Sequence, residues 1–268
     1  MKSLVLDFAI FSFLICGVVQ CTNKKNESHK GDGEPQMVMN NNVQGVHEQD
    51  APDLAFDDFL FRFMSDSLFQ KRRILFPLQV SNGKKVSENE WEYDKMFSTL
   101  NLYTLICNTD EELKAKENNN DSLIKVEILF LKENRDRYYS FVKKGRYWFL
   151  QSIMDKLLTS KKDYDFYSFY SRFVNDKKFQ IQHIEDPLQF RTFDVENNQY
   201  LEGLLDREQW IDYSPELPLD TLTNIIYTKK KFDSKNRVVL VYSPSGGMGC
   251  VVTFEKVHDS WMLKKLEN

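Results

Sequence analysis

The sequence predicts an α+β protein built from two copies of one module, each with N-terminal helices packed on a curved antiparallel sheet. Three observations predict it. First, a motif is written twice. Phe59, Arg62, Phe63, Asp66, Phe69, Gln70, Ile74, Pro77 and Leu78 recur as Phe169, Arg172, Phe173, Asp176, Phe179, Gln180, Ile184, Pro187 and Leu188, at a constant offset of 110 residues. A period of that length marks two copies of a domain, since solenoid repeats run about 20–50 residues. Second, each copy opens on an aromatic stripe at helical spacing. Third, each ends alike, with Phe141, Lys143, Trp148 and Leu150 returning as Phe254, Lys256, Trp261 and Leu263.

In chain order, residues 1–20 come first. Lys2 precedes a mostly apolar stretch from Leu4 to Val19, interrupted by Asp7. It is at the short end for a spanning helix and meets polar sequence, so it reads as an export signal. Val18-Val19-Gln20-Cys21 resembles the lipobox of bacterial lipoproteins. That resemblance implies cleavage before Cys21 and acylation of Cys21, and several acyl chains at ~0.8 kcal/mol per buried methylene hold a protein firmly on a membrane. An ordinary secreted protein is the alternative, and in a eukaryotic one Asn26-Glu27-Ser28 would be a glycosylation sequon.

Residues 21–52 read as a disordered tether. Thr22 to Asp50 is rich in Asn, Lys, Glu, Gln and Gly, without apolar periodicity. It cannot bury enough surface to offset its ordering entropy, and a coil of that length spans on the order of 30 Å. The run Thr-Asn-Lys-Lys-Asn after Cys21 lacks the acidic cluster associated with surface export in Bacteroidetes lipoproteins. The expected location is therefore the inner-facing outer membrane or periplasmic side, lipid-anchored.

The first module is expected over 53–158 and the second over 159–268. Phe56, Phe59, Leu60 and Phe63, and then Phe166, Phe169, Tyr170 and Phe173, form the apolar stripe of an amphipathic helix. Asp66 and Asp176 stand where a second short helix can begin, each able to cap it. Strands follow at Ile74-Leu75-Phe76 and near Ile184, and Pro77 and Pro187 suit an edge or a bulge. Trp91 and Trp210 come next, at an offset of 119 residues. Ile124 to Ile128 alternates strictly, and Arg237 to Tyr242 is its partner strand in the second copy. Each copy closes on a hairpin with Trp148 or Trp261 in the second arm.

A leading aromatic helix and a final Phe-x-Lys…Trp-x-Leu hairpin resemble the nuclear transport factor 2-like, or cystatin-like, α+β roll. The resemblance covers both copies, so the fold expected is two tandem rolls of this kind. The whole chain is similar to an uncharacterised Bacteroidetes lipoprotein family, a domain of unknown function made of such rolls. The resemblance implies a conical pocket between sheet and helices, used by some members for catalysis and by many for binding.

Chemistry-bearing residues are few. Arg62 with Asp66, and Arg172 with Asp176, are the charged pairs that recur, and with Trp148 and Trp261 they are expected to serve the fold. Tyr93 with Asp94, and Asp212 with Tyr213, flank the two tryptophans in opposite order and are expected in surface loops; their residue types would suit an isomerase only if they converged in an apolar pocket. Arg73 and His183 occupy one repeat position and are expected to be exposed, as is His258. Ser243 to Gly249 reads as a hairpin turn, and Lys71-Arg72-Arg73 and Lys229-Lys230-Lys231 as solvated runs. Cys107 and Cys250 are expected to be unbridged. No zinc-type spacing appears, so no metal or cofactor is expected. A formal net charge of −4 offers no field for nucleic acid. The function expected is non-enzymatic binding at a membrane, with a small ligand, a glycan or an envelope protein as partner. The rival is an isomerase- or hydrolase-like enzyme with a pocket in one roll.

Overall fold

A computed structural model describes residues 51–114, 121–227, 235–244 and 249–268; Cys21, the leader and nearly all of the tether lie outside them. The first half contains α1 (Phe56–Ser65), α2 (Ser67–Arg72), β1 (Ile74–Val80), β2 (Lys85–Val86), β3 (Tyr103–Cys107), α3 (Asp110–Lys114), β4 (Leu123–Phe130), β5 (Arg135–Lys144) and β6 (Tyr147–Leu157). The second contains α4 (Tyr164–Asn175), α5 (Lys177–Gln182), β7 (Ile184–Asp194), β8 (Gln199–Leu205), α6 (Trp210–Tyr213), β9 (Thr221–Ile226), β10 (Asn236–Tyr242), β11 (Gly249–Val257) and β12 (Ser260–Glu267). This is an α+β fold of two six-stranded sheets with helices at the start of each half.

Strand order is β2-β1-β6-β5-β4-β9 in one sheet and β8-β7-β12-β11-β10-β3 in the other. The sheets thus share one topology, and each takes its last strand from the opposite half of the chain. β9 pairs with β4, and β3 pairs with β10. Where these exchanged strands meet, Thr104 and Thr223 bond reciprocally. Each backbone N–H donates to the other's Oγ1, at 2.8 and 2.7 Å, and each hydroxyl donates to the other's carbonyl, at 2.6 and 2.9 Å. Both threonines are buried, so these four bonds satisfy groups that would otherwise be desolvated without partners.

The sheets are mixed, not purely antiparallel: β1 runs parallel to β6, and β7 parallel to β12. The reason is connectivity. The helix pair precedes the first strand of each half, and the closing hairpin returns alongside it in the same direction. Register slips once in each parallel pair, between Ile74 and Gln79 and between Leu263 and Lys265. Pro77 sits inside the first slip, and the second falls opposite the β7 stretch that holds Pro187. Proline, lacking an N–H, is tolerated at such a bulge.

Aromatic packing fills the interior of each roll. Phe63 meets Phe141 edge-on with centroids 5.2 Å apart, and Phe173 meets Phe254 at 5.3 Å. Phe56 lies 5.1 Å from Trp148, and Phe166 lies 5.1 Å from Trp261. Phe141 and Phe254 have no exposed surface at all. Rings in edge-to-face geometry add about 0.5–1.5 kcal/mol per pair beyond their buried area, so the stripes of α1 and α4 decide where each helix docks.

Candidate functional site

The recurrent charged residues sit at the helix junctions. Asp66 Oδ1 accepts from the Leu68 and Phe69 N–H groups, and Asp176 Oδ1 from those of Lys178 and Phe179. The Arg62 and Arg172 guanidiniums each lie 4.0 Å above a ring, Phe69 or Phe179, and Arg172 Nε is 3.7 Å from Asp176. Trp148 and Trp261 are buried. These side chains fix the turn between two helices and close the core.

Two expectations of exposure are overturned. Arg73 is fully buried, ion-paired to Asp53 at 2.9 Å and stacked on Phe69 and Tyr147. Asp53 also accepts from Trp148 N–H at 2.7 Å, so the pair ties the start of the module to its closing strand. His183, in the equivalent place, is half-buried and stacks on Phe179 with centroids 3.7 Å apart. The Trp-flanking pairs do not converge. The half-buried Asp94 accepts from Tyr139 O–H and Met96 N–H at 2.7 Å each, the Tyr93 hydroxyl donates to the Met64 carbonyl, and Asp212 and Tyr213 are exposed.

One neighbourhood concentrates ionisable groups. Strict alternation on β4 places Glu127 on the face away from the roll interior, yet it is buried, because that face packs against the second half. Glu127 lies opposite Tyr138, and Asp136 opposite Leu129, on β5. Lys161, from the stretch between the halves, forms ion pairs with Glu127 and, at 3.2 Å, with Asp136. It also donates to Tyr138 O–H at 3.1 Å, and that hydroxyl donates to Asp136. Asp136 Oδ1 is buried without a partner among the described residues. Burial, with the Glu127 charge nearby, pushes the Asp136 carboxyl up to about 6. Burial works against the Lys161 ammonium, but Glu127 and Asp136 outweigh it and hold its pKa above the ordinary value. By strand register the other sheet offers Leu240, Gly249 and Val251 at the places of Glu127, Asp136 and Tyr138, so the topology itself does not require these charges. Asp136 is fully buried, which leaves the group enclosed.

An open site lies elsewhere, and Gln70 and Gln180 define it by contrast. In the first half, Gln70 Nε2 donates to the carbonyls of Phe63 and Asp94 at 3.0 and 2.7 Å, and its Oε1 accepts from the Asp94 N–H at 2.9 Å. One carboxamide thus holds both polar groups of a backbone residue. In the second half, the residues at the offset of Trp91 to Asp94 are wound into α6, whose backbone closes on itself, as with Ser214 N–H donating to the Trp210 carbonyl at 2.8 Å. Gln180 Oε1 instead accepts from the Trp210 indole N–H at 3.1 Å. Indole is a donor only, so this bond fixes the amide orientation. Gln180 lines a cleft of about 180 Å³ between α4, α5 and the segment after α6. Its walls include Val174, Pro215, Leu217 and Leu219, with Lys177 and Glu216 at the sides. Gln180 is 4% exposed, and Nε2 has no acceptor among the described residues. Nε2 is not among the buried polar atoms without a partner, so solvent or a ligand can take its bonds.

The remaining candidates carry no site. Cys250 is a buried free thiol whose pKa burial pushes up to about 11. Cys107 lies on β3 with β10 between it and β11, roughly 10 Å away at two strand spacings, beyond disulfide reach. Residues 245–248 and Lys229-Lys230-Lys231 lie outside the described residues. Among those described, no group of three His, Cys, Asp or Glu could hold a metal ion, and no helix is long and apolar enough to cross a membrane.

Mixed sheets curved around aromatic helices define the class: this is a nuclear transport factor 2-like α+β fold. An NTF2-like protein from Bacteroides fragilis NCTC 9343, known from its crystal structure, is similar at 29% identity with a TM-score of 0.74, covering 81% of this chain and 98% of that one. The chain belongs to the family described as Domain of unknown function (DUF4348), whose model matches residues 36–268. No curated protein matches.

Proposed function

We propose that this protein is a lipid-anchored binding module of the cell envelope, exported to the periplasmic side and acting without catalysis. The observation that carries the binding role is the second-half cleft, where the Gln180 amide has no acceptor among the described residues while its counterpart Gln70 is bonded at both ends. Support for the anchor comes from the Val18-Val19-Gln20-Cys21 motif and the polar stretch after it. The structural neighbour comes from a Bacteroides, which supports a Bacteroidetes origin, and the motif repeated at an offset of 110 residues supports descent of the two rolls from one duplicated ancestor. Ligands of the expected kinds are a small molecule, a glycan or a segment of an envelope protein.

The enzyme reading draws on Asp136, a carboxyl poised near neutrality beside a lysine and a tyrosine, the sort of group that clusters at active sites. Its enclosure favours a structural role. The anchor is tested by mass spectrometry of membrane fractions: an acylated N-terminal Cys21 is expected, and an unmodified N-terminus at another residue ends the claim. Binding is tested by saturable chemical-shift changes at the cleft residues, with loss on filling the cleft by Leu219→Trp.

A further inference from the structure

The chemical class of the cleft's occupant is legible from the half of the molecule that already has one. Gln70 and Gln180 occupy the same place at the end of the second helix of each half, and both are buried. What lies on Gln70 is main chain, the Asp94 peptide group, gripped at 2.7 and 2.9 Å. With that occupant in place, the Trp91 indole N–H is buried without a partner among the described residues. In the second half the arrangement is reversed: the indole of Trp210 is bonded, and among the described residues no main-chain group bonds the Gln180 carboxamide. The two glutamines thus hold main chain in the first half and an indole in the second.

We infer that the second-half cleft takes a neutral main-chain amide, an extended peptide segment that offers a carbonyl oxygen to Gln180 Nε2. The inference rests on the binding role proposed above and specifies its ligand. Charge favours a neutral group, because Lys177 and Glu216 both line the cleft and cancel. A carboxylate would gain from the first and lose to the second. Val174, Pro215, Leu217 and Leu219 give the cleft an apolar part beside Lys177, Gln180, Ser214 and Glu216, which suits a peptide bond flanked by small apolar side chains.

The test is a titration of the ¹⁵N-labelled protein, read at the Gln180 side-chain amide and the Leu217 and Leu219 backbone amides. Three probes are used: the neutral capped dipeptide N-acetyl-glycyl-glycine methylamide, sodium acetate and glucose. Saturable shifts with the capped dipeptide alone are expected, with affinity falling about tenfold in Gln180→Glu, which keeps the acceptor for Trp210 but removes both donors. Leu219→Trp, at an exposed position, is the second variant and is expected to abolish the shifts while leaving the rest of the spectrum in place. Saturation by acetate or glucose without the dipeptide overturns the peptide assignment and leaves the binding role standing. No saturable shift with any probe overturns both. Dipeptide binding unchanged in both variants places it outside this cleft and overturns the inference.

Discussion

Replacing Asp136 with Asn should stabilise this protein at neutral pH and flatten part of its pH dependence. Asp136 is wholly buried on β5, with Glu127 from β4, Tyr138 from its own strand and Lys161 from the stretch between the halves around it. Its carboxyl moves from an ordinary 3.8 to about 6 in the folded protein. A raised pKa means that the folded state holds the proton more tightly than the unfolded chain does. The associated stability is therefore fully present below pH 4 and is lost as the pH rises through 6. At about 1.4 kcal/mol per pH unit between the two values, the loss totals about 3 kcal/mol. Asparagine keeps an oxygen for the Tyr138 and Lys161 donors and carries no charge to desolvate. The assay is urea denaturation of both proteins between pH 4 and 8, plotted as the difference in unfolding free energy. Asp155 and Asp165, whose carboxyls are held low chiefly by Arg137 in the first case and by Lys256 and Trp261 against burial in the second, pull total stability the other way but cancel in the difference. The variant should gain on the wild type from pH 4 to 7 and level off above. A variant less stable at pH 7.5, or a difference that does not change with pH, would refute the reasoning.

Phe254→Ala removes a buried ring that touches Phe166, Phe169 and Phe173, and calorimetry should show a loss of about 3–5 kcal/mol. Thr104→Val and Thr223→Val each remove one donated and one accepted hydroxyl bond at the junction of the exchanged strands; each should cost about 1–3 kcal/mol, and the double variant less than the sum, by chemical denaturation of all four proteins. Asp66→Ala and Asp176→Ala each delete a helix cap at about 1 kcal/mol, and because the two caps share no partner their effects should add. The Cys250 thiol, with its pKa pushed up to about 11 by burial, should react with a thiol reagent only after denaturant is added, as followed by absorbance.

Much of the architecture could be read from local pattern. The aromatic stripes of α1 and α4, the prolines in the parallel strands and the tryptophan hairpins all depend on neighbours close in the chain or on a repeat of letters. Strand exchange was not readable, because Tyr103–Cys107 and Thr221–Ile226 are apolar runs whose partners are chosen by tertiary packing rather than by propensity. The burial of Glu127 was not readable for a related reason. Its alternation with Ile124, Val126 and Ile128 suits a strand with one wet face, but Ile128-Leu129-Phe130 is apolar on both faces, the mark of a strand covered on both sides. Lys161 fell in what reads as the join between modules. Gln70 and Gln180 stood among the repeated letters, yet a glutamine gives no sign in sequence of whether its amide is satisfied.

The exchange of β3 and β9 means that neither half owns a whole sheet. A fragment cut near residue 158 would leave β4 with a bare flank and β3 with nowhere to lie, the kind of open edge that seeks pairing with other chains. Coexpressed fragments from either side of that cut should reconstitute in trans, and two intact polypeptides trading these strands would form an interlocked pair without a single new contact.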